Sequence, residues 1–585
     1  MEESVDNLAT PAPRRRWGGW RRILLAAGIL LLAAVGLFVR DVLSIRHDLN
    51  SGQSRLSHLQ LTQLDSRASI DASVGAADRE LRAGADLTRD SIWLRLLGVV
   101  PKIGPQVRAA RVLSRSAARV GDIAYQGALK ARGQLDAPHA GPAGRLYLID
   151  ALRQDLVEVD QQLRGVPTAT TGHLAQTLAK AHDKLVTKLA QAKTQLADGL
   201  TLTATLRTML AGPRTYLVLA GNNAEMRSGG ITTAAGLIHF QGGDMTTSPF
   251  ISSFDLLLPN DKGVKPPDDM ENLYGFLGPG KEWRTTNTSP NWKAVAQLYA
   301  DMSAKSPFGK VDGVLFVDVL TLRSVLDVVG PVTVNDARYT AKTVVGQLLY
   351  TNYLLYPTGD QTNARRDVQS NVARAAFAAL RGSGYSLPKL AHELQLDAKG
   401  RHLLAWSADS AEEAMWTKLG ADGAIGPDDF QVSVQNVSGS KLDLFIDPVI
   451  GLSSATYSDH KEVNLYVTVT NPRRGKTSAY IEGGFPCCVL PGDQRFYLLF
   501  YLPKSAYHIV SYQPKFSTSG SDGDMTVVGM IDTVPYAQTT TVHISFYLPT
   551  SQRTVTLVPS SRVKPEQYVV NGVHADDAVP AKLPV

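Results

Sequence analysis

Cysteine is nearly absent from this chain of 585 residues, and the 2 present, Cys487 and Cys488, are neighbours. A disulfide framework is therefore excluded and a thiolate zinc site lacks ligands, so stability has to come from packed cores. A charge excess is missing too: 60 Lys and Arg face 54 Asp and Glu, a net +6, which leaves no basic footprint for nucleic acid. The 12 histidines show no His-Glu-x-x-His spacing, no Gly-x-Ser-x-Gly elbow joins a strand to a helix, and no Walker lysine follows a glycine loop. Zincin, serine-hydrolase and nucleotide-hydrolase chemistry thus lack their motifs. At 44% hydrophobic and 19% charged residues, wholesale disorder is excluded, and the length predicts several folding units.

Long apolar runs are absent with one exception, Ile23 to Val39, which carries no charge. It sits at the short end of the roughly 17–25 residues that span a bilayer. Arg14, Arg15, Arg16, Arg21 and Arg22, with Trp17 and Trp20, precede it, the cations and interfacial aromatics of a cytoplasmic flank. The reading is a basic cytoplasmic segment over 1–22, one transmembrane helix over 23–39, and everything beyond about residue 41 outside. A cleaved signal peptide is the alternative. Small-x-small cleavage residues are missing at Phe38-Val39-Arg40-Asp41, and Ala34-Val35-Gly36 lies inside the apolar run, which favours the retained anchor. An exported chain with so little cysteine points to a bacterial envelope, a single-pass protein of the cell membrane.

Residues 41–212 read as an extracytoplasmic helical region or stalk. Apolar positions recur in helical steps at Val42, Ile45, Leu49, Leu56 and Leu59, at Ile149, Leu152, Leu156, Val159 and Leu163, and at Leu174, Leu178, Ala181, Leu185, Leu189, Ala192 and Leu196. At Arg214 the texture changes. Thr215 to Ala220 and Val311 to Asp318 read as buried strands, the second followed by the helical pattern Leu320, Leu322, Leu326, Val329 and then Gly330-Pro331-Val332. Strand, helix, strand predicts an α/β domain over 213–425. From about residue 430, short alternating segments without helices predict an all-β immunoglobulin-like sandwich over 430–555. Residues 556–585 show no clear period and read as a partly loose tail.

Asn222, Asn223, Glu225 and Arg227 crowd one turn at a strand end, before Gly229-Gly230. Ligands in open α/β sheets sit beyond such ends, and glycine admits an anion close to backbone N–H groups. One reading is a polar pocket in which Arg227 forks a phosphate or carboxylate; the other is a shaped turn with a structural Glu225–Arg227 pair. Arg365, Arg366 and Asp367 precede an amphipathic helix, with Arg374 on a similar face, either an anion site or a capped, solvated helix start. Asp255 and Asp318, at strand ends, are candidate metal carboxylates against a turn or core-edge role. Trp283 and Trp292 flank a polar loop and either stack a sugar or pack in the core. Cys487-Cys488 reads as a pair of thiols in a Pro-bounded turn.

The stretch Arg214 to Gly230, with its Asn-Asn-x-Glu-x-Arg turn, resembles the bacterial family catalogued as domain of unknown function 4012. The Asp312-Gly313-Val314 strand, the Val328-Val329-Gly330-Pro331-Val332 segment and the overall layout resemble it too. That family implies no activity. More distantly, the Asp312 to Val334 unit and the Arg365, Arg366, Asp367 and Arg374 segment resemble the LytR-CpsA-Psr family, which transfers polyprenyl-phosphate-linked glycans to peptidoglycan with arginines, carboxylates and magnesium. Its Arg-Ser-Asp-Thr strand entry is here Gly212-Pro213-Arg214-Thr215. The candidates are therefore Arg227, Arg366 and Arg374 as catalytic cations, Asn222, Asn223, Glu225 and Arg365 as ligand contacts, and Asp367 and Asp255 as holders of Mg, of which the resemblance bears on Arg365, Arg366, Asp367 and Arg374. Expected partners are the membrane, a lipid-linked glycan or peptidoglycan, and envelope proteins, in glycan transfer or in non-catalytic scaffolding.

Overall fold

The computed structural model describes residues 65–585 apart from 91–94, 97, 138–140, 169–173, 359, 383 and 485–488. The apolar run 23–39, the seam from Val42 to Leu59 and both cysteines lie outside the described residues. Among those described, no helix is long and apolar enough to cross a membrane.

Four helices open the described chain: α1 (Arg67–Asp90), α2 (Gly104–Asp136), α3 (Gly141–Arg164) and α4 (Gln176–Ala211). The buried stripes of α3 and α4 are the ones the periodicity gives. Ile70, Val74, Ala77 and Leu81 of α1 meet Leu113, Ala117, Val120 and Ala124 of α2, while Leu156, Leu163, Leu185, Leu189 and Leu196 close the same core. The α1–α2 approach is close because its contact positions are small: a Cβ on Gly121 would stand 2.9 Å from Leu81 Cδ1. Tyr125 donates to Asp71 at 2.5 Å and Thr88 meets Ser114 at 2.7 Å, so the two helices run antiparallel.

The α/β part is built on β1 (Arg214–Met226), β2 (Gly230–Gln241), β3 (Asp244–Thr247), β4 (Ile251–Ser252), β5 (Gly313–Val317) and β8 (Leu403–Ser407), with the order β3-β2-β1-β5-β8. Within it, β1 and β5 are parallel, Tyr216 opposite Gly313 and Ala220 opposite Val317, and the other pairings are antiparallel. Helices α5 (Asp268–Tyr274), α6 (Trp292–Ala304), α7 (Val319–Val329), α8 (Thr362–Leu380), α9 (Leu387–Lys399) and α10 (Ser410–Leu419) surround the sheet. One expectation is corrected: the strand after α7 does not rejoin this sheet. Val332–Val334 (β6) pairs only with Ala337–Tyr339 (β7), because Asn335 and Asp336 take φ of 48° and 61° and turn the chain straight back.

The C-terminal part stacks two six-stranded sheets. The first holds β10 (Asp447–Thr456), β11 (Lys461–Asn471), β13 (Tyr507–Gln513), β16 (Gln538–Leu548), β18 (Gln567–Val570) and β19 (Val573–Asp576), in the order β13-β16-β11-β10-β18-β19. The second holds β9 (Asp429–Asn436), β12 (Gln494–Leu502), β14 (Thr518–Asp522), β15 (Met525–Val534), β17 (Thr554–Leu557) and β20 (Ala581–Pro584), in the order β14-β15-β12-β9-β17-β20. Val432, Val434, Phe496, Leu498 and Phe500 from one sheet meet Ile450, Val463, Leu465, Ile544 and Phe546 from the other. Pairs β10–β18 and β9–β17 are parallel, unlike the roughly seven to nine antiparallel strands typical of an immunoglobulin domain.

Two further expectations change. The tail is not loose: β18, β19 and β20 complete both sheets, and the Val585 carbonyl accepts from Lys461 Nζ at 2.5 Å. Nor do the α/β and β parts have separate cores. Strand β12 is apolar on both faces; Tyr497, Leu499 and Tyr501 pack with Leu273, Tyr274 and Trp292 of the α/β part, as Phe496 and Leu498 fill the sandwich.

Candidate functional site

Strand β1 outruns its parallel neighbour. Pairing with β5 ends at Ala220, so residues 221–226 run past β5 and keep only an irregular pairing with β2, at Gly221, Asn222 and Met226. Each polar group there has to find a partner elsewhere. Asn222 donates to the Tyr353 hydroxyl at 2.9 Å, and Asn223 donates to Asp318 Oδ2 at 2.8 Å and to the Ser561 carbonyl at 3.0 Å.

Glu225 and Arg227 lie against the start of the sandwich. Arg227 donates through Nη2 to Glu225 Oε1 at 3.1 Å and through Nη1 to the Met226 carbonyl at 2.9 Å and the Asn436 carbonyl. Glu225 also receives Lys441 Nζ. All three are buried or nearly so. Burial pushes the Glu225 carboxyl up, yet Lys441 and Arg227 outweigh it and hold it below its ordinary 4.5. Burial likewise works against the Lys441 ammonium, and Glu225 overrides it, so that pKa is raised. Arg227 therefore serves a structural pair, the second of the two readings of this turn. The glycines are accounted for by packing. A Cβ on Gly230 would stand 2.8 Å from Asn222 backbone, and one on Gly229 2.8 Å from Asn287 Nδ2. They permit close approach and open no anion cradle.

A path of contacts runs outward from this buried pair. Lys441 lies 5.9 Å from the Tyr480 ring, which stacks on Tyr353 at 5.6 Å between centroids. The Arg365 guanidinium covers both rings, 4.2 and 4.8 Å from their centroids, and Nη1 donates to the Tyr356 carbonyl at 2.9 Å. At the rim stands Phe254, 51% exposed. It is flanked by two guanidiniums, Arg284 at 4.0 Å and Arg366 at 4.5 Å. Arg284 is paired with Glu282 through Nε at 2.9 Å, which raises its pKa against its burial. Arg366 reaches only Asn363 Oδ1, at 3.5 Å; its pKa is lowered by burial first and by the nearby positive charges of Arg365 and Arg284, with Tyr480 and Asp255 opposing.

The turn and the helix start thus meet in one network, with Asp255 at its exposed edge. Other expected residues fall away from it. Helix α8 begins at Thr362, so Asp367 is well inside the helix and exposed rather than at a cap. Arg374 is exposed too, about 12 Å further along the axis than Arg366 at 1.5 Å per residue. Asp255 and Asp367 are single exposed carboxylates. Among the described residues no three His, Cys, Asp or Glu side chains gather as a metal site, and no step is routed through a metal ion.

Asp318 is structural. Its Oδ1 accepts from the Leu320 and Thr321 amides at 2.9 and 3.2 Å as the cap of α7, and its Oδ2 takes His402 Nδ1 at 2.7 Å. Trp283 and Trp292 are buried against Tyr299, Phe308 and Phe316, so no sugar reaches them. A separate open cavity of about 370 Å³ lies between Gly141, Arg145, Asp244, Ala378 and Arg381, at the other end of α8.

Sequence reasoning missed Arg284, Lys441, Phe254 and Tyr480. Arg284 and Phe254 sit in loops with no local motif. Lys441 follows the Ser438-Gly439-Ser440 turn, whose two serines are buried while Gly439 is exposed, and nothing local sets that lysine apart.

Residues 211–353 match the family model described as "Protein of unknown function (DUF4012)". No curated protein and no solved structure matches the chain significantly. The matched segment holds the β1 turn, Arg284, Asp318 and Tyr353, whereas Arg365, Arg366 and Lys441 come from beyond it. Over that segment, about a quarter of its length, the chain resembles the DUF4012 family of proteins of unknown function.

Proposed function

We propose that the chain is a single-pass, membrane-anchored protein of the bacterial envelope whose outer part binds a phosphate-bearing glycan, either on its polyprenyl carrier or as free polymer. The observation that supports this is the charge imbalance at the Phe254 rim. Arg227, Arg284, Arg365, Arg366 and Lys441 share one network, but their ion pairs go only to Glu225 and Glu282 among the described residues. Arg365 and Arg366 have no ion pair there, and Arg366 is half-buried beside like charges. An oxyanion between Arg284 and Arg366 would relieve that repulsion and gain charge-assisted hydrogen bonds. The exposed Phe254 supplies apolar contact beside the charge.

Binding is the step we favour over transfer, because Arg227 is buried and held by Glu225 and by two carbonyls. The test is calorimetric titration of the full chain in detergent with farnesyl diphosphate, inorganic pyrophosphate and a teichoic-type polymer as separate arms. Arg284→Ala and Arg366→Ala should each weaken the arm that binds by about tenfold, a loss on the order of 1.5 kcal/mol. Binding that survives both substitutions places the ligand elsewhere.

The second reading is a non-catalytic scaffold. It draws on the outer face of β11, β16 and β13, where Tyr466, His543 and Tyr512 stack at 4.1 and 4.2 Å. Their faces are occupied by one another, so the stack offers edges suited to a protein partner rather than to a sugar ring.

A further inference from the structure

Between α1 and α2 the described residues include four aliphatic side chains that point outward. Leu96, Val99, Val100 and Ile103 are 58%, 82%, 38% and 40% exposed, although the backbone around them is hydrogen-bonded. The Gly104 amide donates to the Val100 carbonyl at 2.7 Å and the Ile103 amide to the same carbonyl at 3.1 Å. Gly104 is pressed so closely on Gly98 that a Cβ would stand 2.4 Å from its carbonyl oxygen. Such a group of exposed aliphatics in water marks a surface meant for burial.

The surrounding charge says what kind of surface covers it. Arg95, Lys102 and Arg108 are exposed and form no ion pair among the described residues. Asp86 and Asp90, the acids at this end of α1, are both occupied by Arg89 at 3.0 and 2.9 Å. Aliphatic side chains ringed by unmatched cations are the pattern of a segment that dips into an anionic lipid interface.

Position in the fold agrees. The other end of α1 is tied to the α/β part, where Ser386 donates to Asp65 Oδ1. The turn stands one helix length away from that tie, about 36 Å at 1.5 Å per residue. Residues 40–64 connect Asp65 to the apolar run, and even at helical rise they reach about 37 Å. The end of the run and the turn can therefore meet the same membrane face.

We infer that Leu96, Val99, Val100 and Ile103 form a second membrane contact, inserting Val99 and Ile103 into the anionic surface of the bilayer that holds the anchor. This rests on the anchored reading above and adds a fixed orientation: two attachments hold the helical bundle upright.

The test uses the full chain with Cys487→Ser and Cys488→Ser, reconstituted in vesicles of phosphatidylcholine and phosphatidylglycerol. A single environment-sensitive label is placed by Val99→Cys or, as a control on the sandwich, by Asp524→Cys. The Val99 label should be quenched by nitroxide-bearing lipid and protected from aqueous iodide, with the reverse at position 524. The lipid quenching should be lost in vesicles without phosphatidylglycerol, or when the label is moved by Leu96→Cys and combined with Val99→Asp and Ile103→Asp. A Val99 label open to iodide overturns the inference. So does one shielded from both quenchers, which means that protein, from residues before 65 or from a second copy, covers the turn. Alkaline extraction separates the two proposals: a chain that resists extraction while its turn faces water keeps the anchor and loses the second contact, whereas a chain that is extracted loses the anchor itself.

Discussion

Glu225 takes Lys441 and Arg227 together inside the protein, and removing its charge would leave two buried cations without a counter-ion. Glu225→Gln is expected to cost about 3–5 kcal/mol, the usual consequence of breaking a buried pair. Arg366→Ala, at the half-exposed rim, should cost less than about 1 kcal/mol. Chemical denaturation of both variants checks this, and equal costs would remove the structural role from Glu225. Its sign with pH follows from its depressed pKa: the stabilisation is present above the ordinary 4.5 and is lost as pH falls through the lower folded value. Asp397 behaves oppositely. Burial, with Asp318 adding and His402 opposing, pushes its carboxyl from 3.8 to about 7. Oδ1 accepts from Ser324 at 3.0 Å while Oδ2 finds no donor. A raised acid contributes stability that is full below 3.8 and lost as pH rises through about 7. Asp397→Asn should therefore raise the unfolding temperature at pH 8 more than at pH 5, by an amount worth a few kcal/mol. A gain independent of pH would mean that the Asp397 carboxyl is no less acidic in the fold than in the unfolded chain. At this scale the Asn-Asn-x-Glu-x-Arg cluster is legible as a polar concentration, but its use is not. Whether an arginine faces solvent or two carbonyls depends on Asn436 and Lys441, more than 200 residues away.

Helices with regular apolar spacing are the most legible elements. The seams of α3 and α4 are buried where their periodicity puts them, because a helix stripe is a local pattern that long-range contacts only have to accept. The last strands escape such a reading, although the Asn571-Gly572 pair between Val570 and Val573 carries a hairpin signal; the two take φ of 48° and 82° in the turn joining β18 to β19. Short strands at a sheet edge lack the length that makes alternation stand out. They are nonetheless built into the centre of the molecule. Arg562 is buried with Nη2 on Asp443 Oδ1 at 3.1 Å and Nη1 on the Val434 carbonyl at 3.3 Å, and the Ser561 carbonyl takes Asn223. Deletion after Val558 should consequently abolish folding rather than trim an end, since it strands Asp443 and opens both sheets. Soluble yield and resistance to protease report it, and a truncated chain that is as protease-resistant as the intact one would show these strands to be accessory.

At the scale of the whole molecule, the order of helical region, α/β part and β part is legible from changes in texture, yet the change near residue 425 does not separate two cores. Strand β12 explains why: its run Phe496-Tyr497-Leu498-Leu499-Phe500-Tyr501-Leu502 is apolar without alternation, the pattern of a strand covered on both faces. One face belongs to the sandwich and the other to α5 and α6, with Tyr501 and Asp522 both hydrogen-bonded to Tyr274, at 2.6 and 2.8 Å. The α/β part accordingly has no complete core of its own. A chain ended after Pro427 should expose Leu273, Tyr274 and Trp292 and aggregate when expressed, even though it retains every strand of the α/β sheet. Thermal unfolding of the intact chain should likewise show the α/β and β parts melting in one transition, because the residues that join them are among the largest buried side chains of both. The bundle of α1 to α4 has its main core separate from theirs, joined to the α/β part where Ile149, Leu202, Met209 and Leu210 pack with Tyr216, Ile238, Phe240 and Met415, and is expected to melt on its own. Calorimetry resolves the two cases: three transitions, or a soluble and monomeric 1–427 chain, would mean that the β12 interface is docking between finished domains, and the Phe254 site, assembled from Arg284 on one side and Lys441 on the other, would then be free to open and close.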